Sequence, residues 1–378
     1  MEPNRYFPFL NLGQSNARYA DRLKEAAARV IDSGRFLAGP ETAALESELA
    51  AYVGARHCIA VSNGLDAIRL IFRAYIELGR LHPGDEVLIP DNTFIASVLP
   101  VEELGLRPVM MPLSADDMNL DLSRVEEFIT PRTRALLLVH LYGTTCWDDA
   151  ICRSLHERGL LIIEDNAQAV GAIAQCEGFH GSRFAGALGD AAAVSFYPTK
   201  NLGALGDGGA VLTSDEELAR TVRVLANYGS DRRYHNITRG YNNRLDEIQA
   251  AFLRIKLEDL DEETERRREV AGIYNDTIIN PIVCVPKIFP DRRQVWHQYV
   301  IRTPHRDRLK DYLESNGIQT DIHYAVPPHM QPCFDGSLDD PRLKEAEELA
   351  DSILSLPIAN LTPADARHIA SVINLYQP

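Results

Sequence analysis

The feature that most restricts the fold of this chain is a regular alternation of short apolar segments with amphipathic segments over residues 57–213. The apolar segments have the length and composition of buried strands, and many of the segments between them repeat apolar residues at helical spacing. Strands that alternate with helices build a mainly parallel sheet covered by helices on both faces, and such sheets bind ligands at the carboxyl ends of their strands. We therefore predict an α/β fold whose functional residues follow the strands. The predicted strands are residues 57–61, 86–90, 107–111, 135–141, 160–165, 190–194 and 209–213.

Lys200 lies in the stretch that follows the sixth predicted strand, Ser-Phe-Tyr-Pro-Thr-Lys-Asn-Leu-Gly at residues 195–203. The glycines after Lys200 allow the backbone to pass close to a bound molecule. A lysine at a strand end can have its pKa lowered by burial, and the neutral amine can then form a Schiff base with a carbonyl compound. A surface lysine in a flexible turn is the more common case for a lysine considered by itself.

A carboxylate ends the fifth predicted strand: Asp165 is its last residue, and Gln168 follows three residues later. A lysine that forms an imine and an aspartate at a strand end are the pair that pyridoxal phosphate requires. The aspartate keeps the pyridine nitrogen protonated, so that the ring can accept electrons. An aspartate at a strand end is also a common helix cap, so Asp165 is informative only together with Lys200. The pair predicts pyridoxal 5'-phosphate as the cofactor.

The two segments together resemble the sugar-aminotransferase family that acts on nucleotide-linked keto sugars, a branch of the fold type I pyridoxal phosphate enzymes. The shared pattern is Glu-Asp-x-x-Gln at residues 164–168, Ser-Phe-x-Pro-x-Lys-x-Leu-Gly at 195–203 and Gly-Asp-Gly-Gly at 206–209. The resemblance implies a mainly parallel seven-stranded sheet between helices, with a smaller C-terminal α/β domain. It also implies that Lys200 is the catalytic acid and base, that Asp165 binds the ring nitrogen and that Gln168 supports the ring. Homologous dehydratases carry histidine in place of the lysine, so Lys200 argues for the transferases.

The resemblance assigns further cofactor contacts outside those segments. Gly64 lies at the start of a predicted helix, where free backbone amides at a positive helix end can bind a phosphate, although an ordinary capped turn is the alternative. In the family, the amides at the positions of Leu65 and Asp66 hold the cofactor phosphate, and Ser195 is a second phosphate ligand. An aromatic residue at the position of Phe94 stacks on the pyridine ring. Core packing is the other explanation for that residue.

Four residues are expected to meet the sugar nucleotide. Tyr197 lies three residues before the lysine, and Arg233 belongs to a basic loop at residues 228–243. Basic loops are usually only solvated, but in this acidic chain a local arginine group suits a diphosphate, because guanidinium binds phosphate oxygens in pairs. His323 and Tyr324 match a pair found in the family members that aminate carbon 3 of the sugar. By spacing alone, a histidine in a predicted strand is most often structural.

The resemblance implies a homodimer in which two subunits complete each active site. Asn242 and Arg244 lie just before the predicted linking helix, and they match the segment that begins this helix in the family. We expect both residues to reach the cofactor phosphate of the partner subunit, and Arg233 to reach the partner's nucleotide diphosphate.

Composition excludes several other classes of protein. The chain has 378 residues, of which 45% are hydrophobic, so it can bury a large core. Its formal net charge of -15 argues against non-specific binding to nucleic acid, which requires excess Lys and Arg. The six cysteines are scattered, without a Cys-x-x-Cys pair or metal-ligand spacing, and no segment resembles a signal peptide or a membrane span. We expect a soluble, cytoplasmic protein that binds no metal, no membrane and no nucleic acid.

The expected domain division follows the same pattern. A large cofactor-binding domain with an N-terminal arm occupies residues 1–245, a linking helix 246–277 and a small domain 278–378. In the small domain, residues 296–302 and 318–324 alternate like strands.

The predicted function is transamination of a nucleotide-linked 3-keto-6-deoxyhexose, with dTDP as the expected nucleotide and glutamate as the amino donor. The product would serve deoxyamino-sugar biosynthesis, for example for polysaccharide or O-antigen. A carbon-4 aminotransferase acting on a UDP- or dTDP-linked 4-keto sugar is the alternative. A non-catalytic regulator that binds pyridoxal phosphate is the alternative of a different class. A nicotinamide oxidoreductase is not favoured, because the glycines at 203–209 lack Gly-x-Gly-x-x-Gly spacing.

Overall fold

The computed structural model describes residues 5–290 and 292–378. The strands are β1 (His57–Val61), β2 (Glu86–Pro90), β3 (Arg107–Met111), β4 (Thr133–Val139), β5 (Leu161–Asp165), β6 (Ala191–Ser195), β7 (Gly209–Thr213), β8 (Ser230–Arg232), β9 (His235–Asn236), β10 (Tyr299–Arg302) and β11 (Ile353–Leu356). The α-helices are α1 (Leu12–Ala17), α2 (Ala20–Ser33), α3 (Pro40–Val53), α4 (Gly64–Glu77), α5 (Leu99–Glu103), α6 (Asp149–Glu157), α7 (Glu216–Ala226), α8 (Glu247–Leu257), α9 (Leu260–Thr277), α10 (Arg306–Ser315), α11 (Lys344–Ser352) and α12 (Pro363–Leu375). Short 3-10 helices span Ile95–Ser97, Leu122–Glu127, Leu141–Gly143, Pro328–Met330 and Pro332–Phe334. Over the described ranges, no helix is both long enough and apolar enough to cross a membrane.

Seven of the strands form one central sheet in the order β1-β7-β6-β5-β4-β2-β3. Neighbouring strands are parallel from β6 to β3, whereas β7 runs antiparallel to both β6 and β1. The register pairs Asp165 at the end of β5 with Ala193 in β6, so these two strands end at the same edge of the sheet. The predicted mainly parallel, seven-stranded sheet is confirmed.

Helices cover both faces of this sheet because its strands carry apolar side chains on both sides. On one face, α4 and α7 pack against β6, β7 and β1, and Phe72 and Leu218 are fully buried there. On the opposite face, Leu49 of α3 and Leu253 of α8 form a second buried cluster, and α6 packs against β5. Burial of one such side chain contributes roughly 1.5–3 kcal/mol, so these contacts hold the sheet edge that carries the site.

A smaller unit follows in the C-terminal part of the chain. Strands β10 and β11 pair antiparallel, and α9, α10 and α12 contribute apolar side chains to the same buried cluster. Phe7 belongs to this cluster and forms a backbone bridge to Ile318, so the N-terminal arm contacts the small unit. We propose domain limits near residues 245 and 277.

The linking segment forms two helices and not the single helix that the sequence suggests. Helix α8 ends at Leu257, and α9 begins at Leu260. Helix α8 packs against α2 and α3, whereas α9 packs against α12. The chain changes direction between them because the two apolar faces are buried against different elements.

One further prediction of secondary structure, the strand at 318–324, is wrong in the described chain. Residues 318–324 make only isolated bridges, from Ile318 to Phe7 and from Asp321 to Ser355. The Asp321 carboxylate accepts a hydrogen bond from the next amide along the chain, a local contact that competes with strand pairing.

A buried ion pair joins the C-terminal part of the chain to the end of β2. His329 Nδ1 lies 2.5 Å from a carboxylate oxygen of Asp91, and both residues are buried. Contact with Asp91 is the largest cause of the raised pKa of His329, and the charges of Glu347 and Asp339 act in the same direction. Burial raises the pKa of Asp91 although contact with His329 lowers it, so protonated His329 compensates this buried carboxylate in part.

We expect His329→Gln to lower the free energy of unfolding by about 3 kcal/mol at pH 6, because the buried Asp91 loses its partner. A histidine whose pKa is raised on folding stabilises the protein fully below its ordinary value of 6.5, and this contribution is lost as the pH rises through the folded pKa. The difference between wild type and variant should therefore be largest at pH 6 and shrink toward pH 9. Urea unfolding at several pH values measures it. A difference that does not depend on pH would contradict the charged pair.

Candidate active site

The carboxyl ends of the central strands surround a cavity of about 490 Å³, which we call the main cavity. Its wall combines the ends of β4, β5 and β6, the turns after β1 and β2, and two loops from the C-terminal part of the chain. Most of the site residues predicted from the sequence line it. They are Gly64, Leu65, Phe94, Asp165, Gln168, Ser195, Tyr197, Lys200, His323 and Tyr324.

Asp165 is the last residue of β5, and its carboxylate is buried. One carboxylate oxygen accepts a hydrogen bond from Ser97 Oγ at 2.7 Å, and the other accepts one from the amide of Ala167 at 3.1 Å. Ser97 Oγ lies in turn 2.7 Å from Thr93 Oγ1. These contacts fix the orientation of a negative charge in the wall of the main cavity.

Lys200 occupies a tight turn after β6. The amide of Lys200 donates to the carbonyl of Tyr197 at 2.8 Å, and the amide of Ala204 donates to the carbonyl of Phe196 at 2.8 Å. Burial is the largest influence on the lysine amine and lowers its pKa, while the negative charge of Asp165 acts in the opposite direction. A lowered pKa increases the neutral fraction of the amine, which is the form that attacks a carbonyl carbon.

The turn between β1 and α4 forms another wall of the main cavity. Asn63 caps α4, because its side chain accepts a hydrogen bond from the amide of Asp66 at 2.8 Å and its carbonyl accepts one from Ala67 at 3.0 Å. The amides of Gly64 and Leu65 precede those of Asp66 and Ala67 and belong to the positive N-terminal end of the helix. The structure therefore offers the Gly64 and Leu65 amides to an anion. The Asp66 amide already has a partner, and Asp66 does not line the main cavity.

Close packing brings this turn against the strand that leads to the lysine. A Cβ atom on Gly64 would lie 2.7 Å from Ser195 Cβ, and one on Gly209 would lie 2.4 Å from the carbonyl carbon of Asn63. Real Cβ atoms do not approach other atoms so closely, so both positions require glycine. The helix amides and Ser195 consequently lie together at one end of the main cavity.

Gln168 is held at both ends of its side-chain amide. Its Oε1 accepts a hydrogen bond from the amide of Tyr142 at 2.6 Å, and its Nε2 donates to the hydroxyl of Tyr324 at 3.0 Å. The ring of Tyr324 lies 5.6 Å from the ring of Phe94, centroid to centroid. Phe94 is 55% exposed, so its ring is available for stacking with a flat ligand.

His323 and Tyr197 complete the predicted substrate side of the main cavity. His323 Nδ1 lies 2.8 Å from Ser355 Oγ, and its ring stacks on Phe9 at 5.6 Å. Burial lowers the pKa of His323, and the carboxylate of Asp321 opposes this effect. Tyr197 is 52% exposed and accessible to a ligand.

The sequence analysis missed His297, which is buried and also lines the main cavity. His297 Nδ1 lies 3.0 Å from Asn201 Oδ1, and Asn201 Nδ2 donates to the carbonyl of Val295 at 3.0 Å. The preceding residue, Trp296, has a φ of 47°, a left-handed conformation that is uncommon for a bulky residue. Burial and the positive charge of Lys200 hold the pKa of His297 well below its usual value. Its only sequence signal was a histidine inside a predicted strand, a pattern too common to indicate a site.

Besides Asp66, three predicted residues lie outside the main cavity. Arg244 Nη1 donates to Asn227 Oδ1 at 3.2 Å, and the Arg244 guanidinium lies 5.3 Å from the ring centroid of Tyr228. Arg244 lines a separate cavity of about 1110 Å³. Asn242 forms a backbone bridge to Asn227, and Arg233 is exposed in the β8–β9 hairpin region. Within one subunit, the structure does not bring these three residues to the lysine.

Comparison with known proteins places this geometry in a family. Residues 18–374 match the model of the DegT/DnrJ/EryC1/StrS aminotransferase family. The chain is 44% identical over 370 residues to dTDP-3-amino-3,6-dideoxy-alpha-D-galactopyranose transaminase from Aneurinibacillus thermoaerophilus, covering 98% of this chain and 99% of that protein. It is 45% identical over 353 residues to dTDP-3-amino-3,4,6-trideoxy-alpha-D-glucose transaminase from Streptomyces venezuelae, covering 93% of this chain and 90% of that protein. The crystal structure of S. venezuelae DesV superposes with a TM-score of 0.92 at 44% identity, covering 98% of each chain.

These similarities extend over nearly the whole chain, so they include both the sheet and the smaller C-terminal unit. The family and the enzyme class predicted from the sequence are confirmed. The chain belongs to the DegT/DnrJ/EryC1/StrS aminotransferase family.

Proposed function

We propose that this protein is a pyridoxal-phosphate-dependent aminotransferase that converts a dTDP-linked 3-keto-6-deoxyhexose to the 3-amino sugar, with glutamate as the amino donor. The observation that carries the proposal is the placement of Lys200 and Asp165 in one cavity, at the carboxyl ends of adjacent strands. Pyridoxal phosphate is the cofactor of this family. Both relatives described above are named as transaminases of dTDP-linked 3-amino sugars.

The residues of the main cavity fit this cofactor in chemistry and in size. A cavity of about 490 Å³ lies within the usual range for cofactor sites. The close approach of Gly64 to Ser195 leaves backbone amides and a hydroxyl at one end, which suits a phosphate. Each part of the cofactor has a proposed partner: Lys200 for the carbonyl carbon, Asp165 for the ring nitrogen, Gln168 and Phe94 for the ring, and Gly64, Leu65 and Ser195 for the phosphate.

The chemistry is divided between two side chains of this chain. When bound, pyridoxal phosphate supplies an electron sink for the negative charge that develops on the α-carbon of the donor. Asp165 supports this by holding the ring nitrogen in its protonated form through a buried and oriented carboxylate. The amine of Lys200 would hold the cofactor; once displaced by the donor, it would take the α proton as general base and deliver it to the cofactor side as general acid. Burial favours this role because it lowers the pKa of the amine and so raises the fraction that can accept a proton.

The acceptor is proposed from the names of the relatives and from the lining of the main cavity. Tyr197, His323 and Tyr324 line this cavity and have polar side-chain atoms that can bind a sugar. Carbon 3 is favoured over carbon 4, because the two relatives described above are named for 3-amino sugars. The product is an amino-deoxysugar nucleotide, a building block for polysaccharide or O-antigen synthesis.

A panel of acceptors tests this assignment. The purified holoenzyme is incubated with glutamate and a dTDP-linked 3-keto sugar, a dTDP-linked 4-keto sugar or a UDP-linked 4-keto sugar, and NMR locates the amine in the product. We expect kcat/KM for the 3-keto sugar to exceed the other values by about 10²-fold, because misplacing the carbonyl breaks several polar contacts at once. Turnover of the 4-keto sugars alone would establish the carbon-4 alternative. Cofactor binding without turnover of any acceptor would favour the non-catalytic regulator.

A homodimer is proposed because three cofactor- or substrate-binding candidates do not line the main cavity of their own chain. Asn242 and Arg244 are proposed to reach the cofactor phosphate of the partner subunit, and Arg233 its nucleotide diphosphate. The surrounding surface carries exposed apolar side chains, including Tyr234, which is 87% exposed, and Ile237, which is 59% exposed. Such side chains are characteristic of an interaction surface.

Mixing two inactive variants tests the shared site. Lys200→Ala and Arg244→Ala should each be nearly inactive alone, whereas refolding them together should restore about a quarter of the wild-type activity. Random pairing makes half of the dimers mixed, and each mixed dimer retains one site with an intact lysine and an intact donated arginine. The specific activity of the refolded mixture measures this. Arg239→Ala removes another exposed arginine of the same loop and serves as the control. If the activity of the mixture does not exceed that of the separate proteins, Arg244 does not serve the partner subunit.

We also propose that the protein acts in the cytoplasm. All six cysteines are unpaired thiols in the structure, and three of them are exposed. Exposed thiols are maintained in a reducing compartment.

A further inference from the structure

A second, smaller cavity borders the other side of the turn that carries Lys200. It has a volume of about 60 Å³, which exceeds the space that one water molecule requires. Thr199 and Lys200 line both this cavity and the main cavity. The remaining wall comes from the N-terminal arm, α8, α9 and the loop around Asn360. A molecule held in the main cavity at Lys200 is therefore adjacent to a second space.

Two positive side chains line this smaller cavity without a carboxylate partner. Lys256 Nζ donates to the carbonyl of Gly203 at 2.6 Å, and Arg267 Nη1 donates to the carbonyls of Trp296 and His297 at 3.2 and 3.3 Å. Among the residues that the structure describes, neither cation forms an ion pair. Burial lowers the pKa of Lys256 to about 8 and that of Arg267 to about 10. Both positive charges are thus held in surroundings that disfavour them.

The one carboxylate in the wall does not compensate these charges. Glu263 forms an ion pair with Arg18 and a second, at 3.2 Å, with Arg266. Its negative charge is shared between arginines other than Arg267, although it acts on Arg267 from a distance. The smaller cavity therefore keeps an excess of positive charge, and buried charges of one sign are usually compensated by a bound ion or ligand of the other sign.

We propose that Lys256 and Arg267 form the subsite for the side-chain carboxylate of the amino donor. This inference rests on the proposed function, in which the amino group of an acidic amino acid must reach Lys200. In this proposal, a donor whose nitrogen lies at Lys200 extends its distal carboxylate toward the smaller cavity, which shares Thr199 and Lys200 with the main cavity. Ammonium and guanidinium donors match a carboxylate in charge and in hydrogen-bonding geometry. The subsite selects dicarboxylic amino acids over apolar ones such as alanine.

A purely structural role is the competing explanation. Through its bond to Gly203, Lys256 could merely hold the turn that carries Lys200, and Arg267 could hold the backbone of His297. The two roles predict different kinetics. The lysine serves both halves of the reaction, so a displaced turn would slow the reaction with the donor and the reaction with the sugar equally. Loss of a donor subsite would slow mainly the half-reaction with the amino donor.

The experiment compares Lys256→Gln and Arg267→Gln with Lys24→Gln, an equal change of charge at a side chain that is 76% exposed. Single-turnover kinetics are measured separately for each half-reaction of the holoenzyme. We expect the half-saturating glutamate concentration to rise at least about tenfold in both cavity variants, the equivalent of one lost charged contact. The rate of the half-reaction with the donor should fall by a factor at least about ten times larger than the rate of the half-reaction with the sugar. Equal losses in the two halves, or an unchanged glutamate dependence, would overturn the proposal.

Binding measured without turnover separates this proposal from the proposed function. Calorimetry on the wild-type holoenzyme compares glutarate, an unreactive dicarboxylate, with pentanoate, which has the same five-carbon chain and one carboxylate. We expect glutarate to bind at least about tenfold more tightly. The Lys256→Gln variant should lose that preference, whereas Lys256→Arg, which keeps the positive charge, should retain it. Equal binding of the two acids by the wild type would overturn the subsite, whatever sugar the enzyme uses. Tight glutarate binding by a protein that aminates none of the sugars would instead count against the acceptor assignment alone.

Discussion

Replacement of Lys200 by alanine should abolish transamination and remove the visible absorbance that depends on the covalent bond between lysine and cofactor. The amine has two roles, since it holds the cofactor and it transfers the α proton. General acid and base catalysis alone is worth roughly 10²- to 10⁴-fold, so we expect activity to fall at least about 10³-fold. Absorbance spectra and single-turnover rates measure the two effects separately.

The control for this experiment is Lys24→Ala, which removes a lysine whose side chain is 76% exposed on α2. That variant should keep both the colour and the activity. The expected loss in Lys200→Ala follows from the position of the side chain in the main cavity and not from a general loss of positive charge. An unchanged spectrum in Lys200→Ala would end the assignment of this residue, because no other lysine lines the main cavity in the described part of the chain.

Substitution of Asp165 by asparagine should leave the cofactor bound but lower both half-reactions by roughly 10²- to 10³-fold, the usual cost of removing one preorganised electrostatic contact. Asparagine has nearly the same shape and can still accept the hydrogen bond from Ala167. It carries no charge, however, so it cannot keep the ring nitrogen protonated, and the ring becomes a poor electron acceptor. Half-reaction rates at fixed pH measure the loss.

The same variant gives a second measurement, which concerns the lysine itself. The charge of Asp165 raises the pKa of Lys200, against the effect of burial. Removing that charge should therefore lower the pKa of the lysine amine in the apoprotein, which pH-dependent labelling of the amine would detect. Asp21→Asn changes a carboxylate whose side chain is 94% exposed and serves as the control. An Asp165→Asn enzyme within a few-fold of wild type would show that another group protonates the ring.

The main residues of the candidate site were predictable from the sequence because each belongs to a short motif at or after the end of a predicted strand. Lys200 follows β6 by five residues and Asp165 ends β5, so strand prediction alone placed both at the same edge of the sheet. The seven-stranded sheet was predictable for the same reason, since each strand is a short apolar segment separated by a segment of different periodicity. A wrong boundary of one or two residues does not change which edge a strand end occupies.

Elements whose conformation depends on distant partners were not predictable in this way. The segment at 318–324 has the alternation of a strand, yet its backbone has single bridge partners in Phe7 and Ser355 and turns at residues 323–324. The break between α8 and α9 depends on which surfaces the two helices cover. The pattern of charged residues continues across that break, so the sequence does not indicate where α8 ends and α9 begins.

The sequence by itself determined the family and the sheet, and it placed Lys200 and Asp165 at one edge of that sheet, because motif spacing and strand periodicity are local properties of a chain. Only the tertiary structure decided which remote side chains complete the site. His297 meets Asn201 across 96 positions, and Gln168 meets Tyr324 across 156. The uncompensated charges of Lys256 and Arg267 also became visible only there. Such contacts depend on how separate segments pack and on which charges lose access to water, and neither quantity can be read from spacing along a chain.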